Sequence, residues 1–235
     1  KQKTAYEIGV RLVGSEMCIR DRLYTTSQGQ VTTLGFRYME KVNIFPTTIG
    51  RFNLRHHTDW VARRFEHHMF KRGQTGEIDG AVLVHLDPQL NSFMLEVNDC
   101  VDQYLESMNV EYNIHFMKTW YAVSGEDSSV PNHCHDPAHI SWVYYLDTSD
   151  PLIFTKESQN EWFPHAFADV EKNFFNTSAW EEHTQEGDLL IFPANLKHMT
   201  RNTAHRWSVA GDVLLTNLDL NKEGGLTHPK YWKQF

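Results

Sequence analysis

The segment 131–139 contains two histidines two residues apart, His133 and His135. Alternate residues of an extended chain point to the same side, so these two imidazoles can bind one ion while Cys134 points away. The sequence has 14 histidines, several of them clustered, which also indicates a metal site. A single His-x-His is more often a pair of surface histidines, so the prediction of a metal site depends on a third ligand.

A third candidate ligand, His198, follows the apolar run 189–192 and Pro193. This run is typical of a buried strand, and the proline ends it, so the next turn presents His198 at the mouth of the sheet. We therefore predict a metal site that consists of His133, His135 and His198.

A possible anion site lies on the next predicted strand, where Arg206 and Ser208 follow His198 by eight and ten residues. Residues two apart on a strand share a face. A guanidinium group beside a hydroxyl is well matched to a free carboxylate. An isolated strand arginine more often lies on a solvated face, but beside the histidines we interpret Arg206 as a carboxylate-binding residue.

The elements that position these residues follow from the hydrophobic pattern. Helical spacing predicts one helix over 59–72 and a second that begins after Asp87-Pro88 and runs to Met108. After residue 110 the pattern alternates, so residues 114, 116, 118, 120 and 122 are expected on one face of a strand and the intervening residues on the other. Short runs separated by Pro, Gly, Asn and Asp follow, which predicts an α+β fold with an antiparallel β-rich second half.

Composition excludes several classes of function. The formal net charge of −8 argues against a general nucleic-acid binder, and the sequence has no apolar run long enough to span a membrane. Three cysteines at wide spacing fit neither a disulfide scaffold nor a four-cysteine zinc site. A reducing, cytoplasmic setting is the expectation.

Residues 1–22 differ from the rest in pattern and lack the features of a signal peptide. We expect them to be a leader that is either disordered or an artefact of conceptual translation. The remaining residues, 23–235, are predicted to form a single domain whose β-rich core covers about 112–218.

The motifs together resemble those of known families. The spacing of Gly187, Pro193, His198 and Asn202 is similar to the second cupin motif, and His133-x-His135 to the start of the first. The chain more closely resembles the 2-oxoglutarate/Fe(II)-dependent oxygenases of bacteria and marine phages, over about residues 120–216. That resemblance rests on Trp120, Gly125, Pro131-x-His133-x-His135, Ser141-x-Val143-Tyr144-Tyr145-Leu146, Gly187-Asp-x-x-Ile191-Phe192-Pro193, His198 and Arg206-x-Ser208-Val-Ala-Gly-Asp212.

The resemblance implies a double-stranded β-helix, or jelly roll, with a helical N-terminal layer, and Fe(II) and 2-oxoglutarate as cofactors. It implies that Arg206, Ser208 and Tyr145 bind the cosubstrate, and it gives no catalytic residue beyond the metal ligands. The usual ligand pattern of these oxygenases is His-x-Asp/Glu with a distal His, which residues 131–141 lack. Three alternatives follow: a three-histidine site, Asp136 as the carboxylate ligand, or water at one position.

The function expected from the resemblance is that of an Fe(II)/2-oxoglutarate-dependent oxygenase, of the hydroxylase type, in a bacterial or phage-infected cell. Its substrate, a small molecule or a protein side chain, is not readable from the sequence. Two alternatives stay open. One is a cupin-type metalloenzyme without an oxo-acid cosubstrate, and the other is a catalytically silent jelly-roll binding module.

Overall fold

The computed structural model describes residues 24–25, 31–32, 46–72, 83–124, 129–148, 150–156, 177–201, 206–218 and 228–234. The chain divides into two compact units, Lys1–Pro46 and Thr47–Phe235. In the first unit, strands β1 (Tyr24–Thr25) and β2 (Val31–Thr32) form an antiparallel pair. Residues 1–22, for which we predicted a leader, lie outside the described residues.

The described residues in the first half of the second unit include two α-helices and three 3₁₀ turns. Helix α1 (Thr58–Arg72) follows the 3₁₀ turn Arg55–His57, and α2 (Asn91–Glu106) follows the turns Val84–Leu86 and Pro88–Leu90. The side chain of Asp87 accepts a hydrogen bond from the backbone N–H of Gln89, which ties down the start of the second turn. Both helices therefore begin where the sequence predicts, within a few residues.

The apolar stripe of α2 is buried as predicted, with one exception. Its buried members are Phe93, Met94, Val97, Cys100, Val101, Tyr104 and Leu105. Met108 lies beyond the last helical residue and is exposed. Neither described helix has the length and hydrophobicity that a membrane crossing requires.

The larger sheet of the second unit has five described strands in the order β3-β8-β5-β10-β4, all antiparallel to their neighbours. Their bounds are β3 (Gly50–Asn53), β4 (Asn113–Ser124), β5 (Ile140–Thr148), β8 (Asp188–Pro193) and β10 (Arg206–Thr216). A smaller antiparallel sheet has the order β7-β6-β9, with β6 (Leu152–Thr155), β7 (Ala179–Glu182) and β9 (His198–Met199). The α+β class with antiparallel sheets is thus observed.

The central strands β5, β8 and β10 of the larger sheet are buried on both faces, which explains the nearly continuous apolar sequence of β5 and β8. On one face, Trp142, Tyr144, Leu189 and Ile191 join the core built with α1 and α2. On the other face, a second core cluster combines strand residues of the larger sheet with Leu152 and Phe154 of β6. The larger sheet therefore lies between the helices and the smaller sheet.

A β-bulge in β4 corrects the predicted alternation of that strand. Asp212 of β10 pairs with Lys118, and the next residue, Val213, pairs with Phe116, so Met117 is the extra residue. Phe116 consequently packs on the helix-side core together with Tyr121, although sequence alternation places these two residues on opposite faces. The prediction that residues 114, 116, 118, 120 and 122 share one face was wrong, because the bulge at Met117 moves the residues before it to the opposite face relative to those after it.

Candidate metal centre and carboxylate site

The backbone of two separate segments brings the three predicted histidines together. His133 and His198 form an isolated antiparallel bridge, with N···O distances of 3.0 and 2.9 Å in the two directions. The backbone N–H of His135 donates to the carbonyl oxygen of Ala194 at 2.9 Å. Each of the three residues offers one ligand atom, and these atoms lie within 4.8 Å of one another.

The hydrogen-bond acceptors around the group determine which ring nitrogens carry protons. The Nδ1 of His133 lies 2.8 Å from the carbonyl oxygen of Pro131, and the Nδ1 of His198 lies 2.9 Å from that of Leu196. A carbonyl can only accept, so Nδ1 is the protonated nitrogen in both rings. When these rings are neutral, each Nε2 has a free lone pair, which is the form that ligates a metal.

The same argument applies to His135, whose Nδ1 contacts the carboxylate of Asp212 at 2.9 and 3.1 Å. Its Nε2 lies 3.1 Å from the Nε2 of His133. Two facing lone pairs at this distance repel each other unless a cation lies between them. At a metal–nitrogen distance of about 2.1 Å, ligands at right angles stand about 3.0 Å apart, so the observed spacing fits a bound transition metal.

His198 is the most enclosed of the three histidines, at 5% exposure. Burial lowers the pKa of His198 to about 4, and charge on His133 and His135 acts in the same direction. Its imidazole is therefore neutral at pH 7 and able to bind a metal without losing a proton. The rings of Phe192 and Trp120 pack against His198 and His135, with centroid distances of 5.0 and 5.6 Å, and shield the group.

Asp136, the alternative carboxylate ligand, is exposed and lies outside this group. His139, a further histidine of the same segment, is also outside this group, and its Nδ1 accepts a hydrogen bond from the backbone N–H of Leu215. The structure instead places the carboxylate of Asp212 behind His135. Asp212 belongs to the motif that begins at Arg206, and its alternation with Arg206 and Ser208 indicates the shared face of the strand but not the contact with His135.

The predicted carboxylate-binding residues lie on the face of β10 that points away from the helices. Trp207, Val209 and Val213 contribute to the helix-side core, so Arg206 and Ser208 face the opposite way, and both are buried. Ser208 is directly opposite Tyr145 in the neighbouring strand β5. The three predicted cosubstrate-binding residues are therefore neighbours.

The guanidinium group of Arg206 is held close to the histidines. Its Nη2 donates to Thr200 Oγ1 at 3.0 Å, and Thr200 follows His198 by two residues. Arg206 is therefore hydrogen-bonded to the segment that directly follows His198.

The hydroxyl of Tyr145 is a buried donor near Arg206. Tyr145 is 1% exposed, and its hydroxyl has no hydrogen-bond partner of normal geometry among the described residues, although Thr184 lies nearby. Burial raises the pKa of Tyr145 to about 12, and the charge of Arg206 offsets part of that increase. The hydroxyl therefore keeps its proton at neutral pH and can donate it to an acceptor.

A second group, His56, His57 and Glu96, also places three ligand types together. Here the Nε2 atoms of His56 and His57 lie 2.9 and 2.6 Å from the same oxygen of Glu96, which are hydrogen-bond distances. The indole N–H of Trp60 donates to Nδ1 of His57, so the proton of a neutral His57 is on Nε2. These three residues form a hydrogen-bonded cluster that joins the Arg55–His57 turn to α2. Unlike His133, His135 and His198, they do not direct free Nε2 lone pairs at a common point.

Comparison with known proteins finds one matching family model. Residues 118–212 match the family model described as "Putative 2OG-Fe(II) oxygenase", which covers β4 from Lys118, β5 to β9 and the first part of β10. The matched segment covers 95 of the 235 residues, and it confirms the resemblance to the 2-oxoglutarate- and Fe(II)-dependent oxygenases that the sequence motifs indicate. No curated protein matches the chain in sequence.

Solved structures with the same fold include two oxygenases. HygX from Streptomyces hygroscopicus, with nickel and 2-oxoglutarate bound, has a TM-score of 0.51 at 13% identity, covering 71% of this chain and 82% of HygX. SnoK, an α-ketoglutarate-dependent carbocyclase from nogalamycin biosynthesis, has a TM-score of 0.51 at 12% identity, covering 73% of this chain and 82% of SnoK. At these identities the likeness extends to the fold alone.

Proposed function

We propose that the protein is an Fe(II)/2-oxoglutarate-dependent hydroxylase whose two antiparallel sheets form a double-stranded β-helix. His133, His135 and His198 would hold the iron through Nε2. The observation that carries the proposal is the arrangement of these three rings, in which every Nδ1 faces an acceptor and the Nε2 atoms of His133 and His135 are 3.1 Å apart. A ligand set on one face of the ion leaves positions for a cosubstrate and O₂.

Arg206, Ser208 and Tyr145 would bind the distal carboxylate of 2-oxoglutarate. A guanidinium charge and the two hydroxyl donors match the two oxygens of a carboxylate, and the buried Tyr145 hydroxyl has a hydrogen bond to gain. When bound, iron and the oxo acid together supply the oxidising chemistry, which consumes O₂ and converts the oxo acid to succinate and CO₂. The protein residues orient the cosubstrate and exclude water from the site.

The substrate class proposed here is a small molecule or a protein side chain, as expected for a hydroxylase. A cytoplasmic setting is proposed with it, and the free thiols of Cys100 and Cys134 are compatible with a reducing compartment. We also retain the proposal of a single domain over residues 23–235.

Cosubstrate binding tests the proposal without knowledge of the substrate. Under anaerobic conditions, 2-oxoglutarate added to the Fe(II)-loaded protein should produce a visible metal-to-ligand charge-transfer band. Arg206→Lys keeps the charge but loses the planar fork, so the affinity for 2-oxoglutarate should fall about ten- to a hundredfold while iron binding is unchanged. The matched control is Arg201→Lys, because Arg201 is an exposed residue paired with Glu181.

The outcomes separate the competing functions. Metal binding with a charge-transfer band and succinate formation supports the oxygenase. Metal binding without either result at millimolar 2-oxoglutarate would indicate a cupin-type metalloenzyme. A protein that binds no metal would be a silent binding module, and identical titrations of wild type and Arg206→Lys would remove Arg206 from the cosubstrate site.

A further inference from the structure

The three histidines differ in what fixes their orientation. His133 and His198 each donate from Nδ1 to a backbone carbonyl within their own segment, two residues away. His135 instead donates to a side chain from a distant strand, Asp212 of β10. Its ring orientation therefore depends on an ionisable residue 77 positions later in the chain.

The carboxylate of Asp212 is itself held in place. Its Oδ1 accepts a hydrogen bond of 2.8 Å from Ser141 Oγ on the neighbouring strand β5, and both residues are buried. Asp212 and Ser141 are directly paired in the β5–β10 register, so the contact is built into the sheet. The carboxylate thus has little freedom to rotate away from His135.

We propose that Asp212 is a positioning residue for the metal site, which acts through His135 and does not ligate the ion. This inference rests on the three-histidine site proposed above. A carboxylate that accepts from Nδ1–H fixes the tautomer with a free Nε2 and makes that nitrogen more basic. The three histidine ligands of the ion are neutral, so the carboxylate of Asp212 also supplies a nearby negative charge. It does so through its hydrogen bond to His135 and without binding the ion itself.

The departure from the usual His-x-Asp/Glu pattern gains a physical explanation in this way. The position two residues after His133 holds an imidazole, His135, and the carboxylate stands behind that imidazole, on β10. A carboxylate is therefore still present near the ion, but it contacts a ligand, His135, instead of the ion.

Binding of Co(II) to the metal-free protein measures this role without turnover. Asp212→Ala removes the acceptor and the charge, and it should weaken Co(II) binding about ten- to a hundredfold. Asp212→Asn keeps an oxygen that can accept from His135, so its loss should be smaller, with Co(II) absorption bands at the wild-type positions. The matched control is Asp188→Asn, because Asp188 is a buried carboxylate on β8 whose partners, Asn53, Gln185 and Arg51, lie outside the histidine group.

Several results would overturn the inference. Asp212→Ala with wild-type Co(II) affinity would show no positioning role, even if its melting temperature falls. Asp212→Asn that loses cobalt as completely as His198→Ala, or shifts the absorption bands, would make Asp212 a ligand. If Asp212→Ala does not fold, Asp212→Asn and Ser141→Ala carry the test, and each should weaken Co(II) binding measurably while Asp188→Asn does not.

Co(II) binding by the wild-type protein tests the three-histidine site itself. If wild type binds no Co(II), both the three-histidine site and the role of Asp212 fail together. If wild type binds Co(II) but shows no charge-transfer band with Fe(II) and 2-oxoglutarate, the oxygenase proposal fails while the role of Asp212 is still decided by the variants.

Discussion

His135 and Asp136 are adjacent in sequence but have different surroundings. His135 faces the other two histidines and is held from behind by Asp212, whereas Asp136 is exposed. Asp136 lies in a turn in which the backbone N–H of Ala138 donates to the carbonyl oxygen of His135, and it is not part of the histidine group. The geometry favours His135 as the ligand.

This difference gives a prediction at the residue scale. His135→Ala should lose most of its iron after anaerobic Fe(II) loading and desalting, whereas Asp136→Ala should retain nearly the wild-type amount, because only the first variant removes a lone pair from the group. Metal analysis of both proteins, with His198→Ala as a second ligand deletion, provides the measurement. Loss of iron from Asp136→Ala alone would make Asp136 the carboxylate ligand.

Sequence spacing was sufficient to select the histidines and Arg206 but not Asp212. His133 and His135 share a short motif, and Arg206 is recognisable from its residue type and its distance from His198. The role of Asp212 depends on which residue of β10 meets the segment before β5, a contact between residues 77 apart. Such contacts follow from sheet register, which a single sequence does not specify.

At the scale of elements, α2 and the 3₁₀ turn Arg55–His57 are joined through Glu96. Burial raises the pKa of this carboxyl group. Hydrogen bonds from His57 and His56, together with the charge of these residues, lower the pKa by more than burial raises it, so the pKa of Glu96 lies below its ordinary value of 4.5. A carboxyl group whose pKa is lower in the folded state stabilises the fold above its unfolded pKa. That contribution is lost as the pH falls through the folded pKa.

Glu96→Gln should therefore destabilise the protein by about 1 kcal/mol at pH 7, a modest value because Glu96 is partly exposed to solvent. The difference between wild type and variant should shrink as the pH falls below the ordinary pKa of 4.5 and through the lower pKa of the folded state. Urea unfolding across this range measures it, and Glu106→Gln, an exposed change in the same helix, is the control. A difference that is constant with pH would contradict the assignment to the ionised carboxylate.

The positions of the strands were easier to predict than the face of the sheet on which each side chain lies. The apolar runs that became β5, β6, β8 and β10 are bounded by turn residues, and the central strands of the larger sheet are buried on both faces, which gives a strong signal. The bulge at Met117 has no comparable signature because the residues on either side of it remain β-branched, aromatic or long. Strand β7 (Ala179–Glu182) was not predicted, since its exposed and charged residues resemble a loop.

At the scale of the whole molecule, all the site residues belong to the unit Thr47–Phe235. The change of sequence pattern after residue 22 predicts that deletion of residues 1–22 changes the free energy of unfolding by less than about 1 kcal/mol, because changes in surface segments rarely contribute more. Thermal and urea unfolding of the full chain and of a chain beginning at Leu23 make the comparison. A large fall in melting temperature would show that residues 1–22 are an integrated element and would end the proposal of a separate leader.

The backbone bridge between His133 and His198 lies where a bound ion would cross-link two distant segments of the chain. An ion held by both side chains would add a second connection where the two main chains already meet, closing a loop of more than 60 residues. Like any cross-link between distant segments, it would restrict the unfolded chain, and like any ligand of the native state it would stabilise in proportion to the logarithm of its free concentration. The melting temperature of this protein would then depend on trace metal in the buffer, so the stabilities of its variants are comparable only at a fixed, chelator-controlled metal concentration.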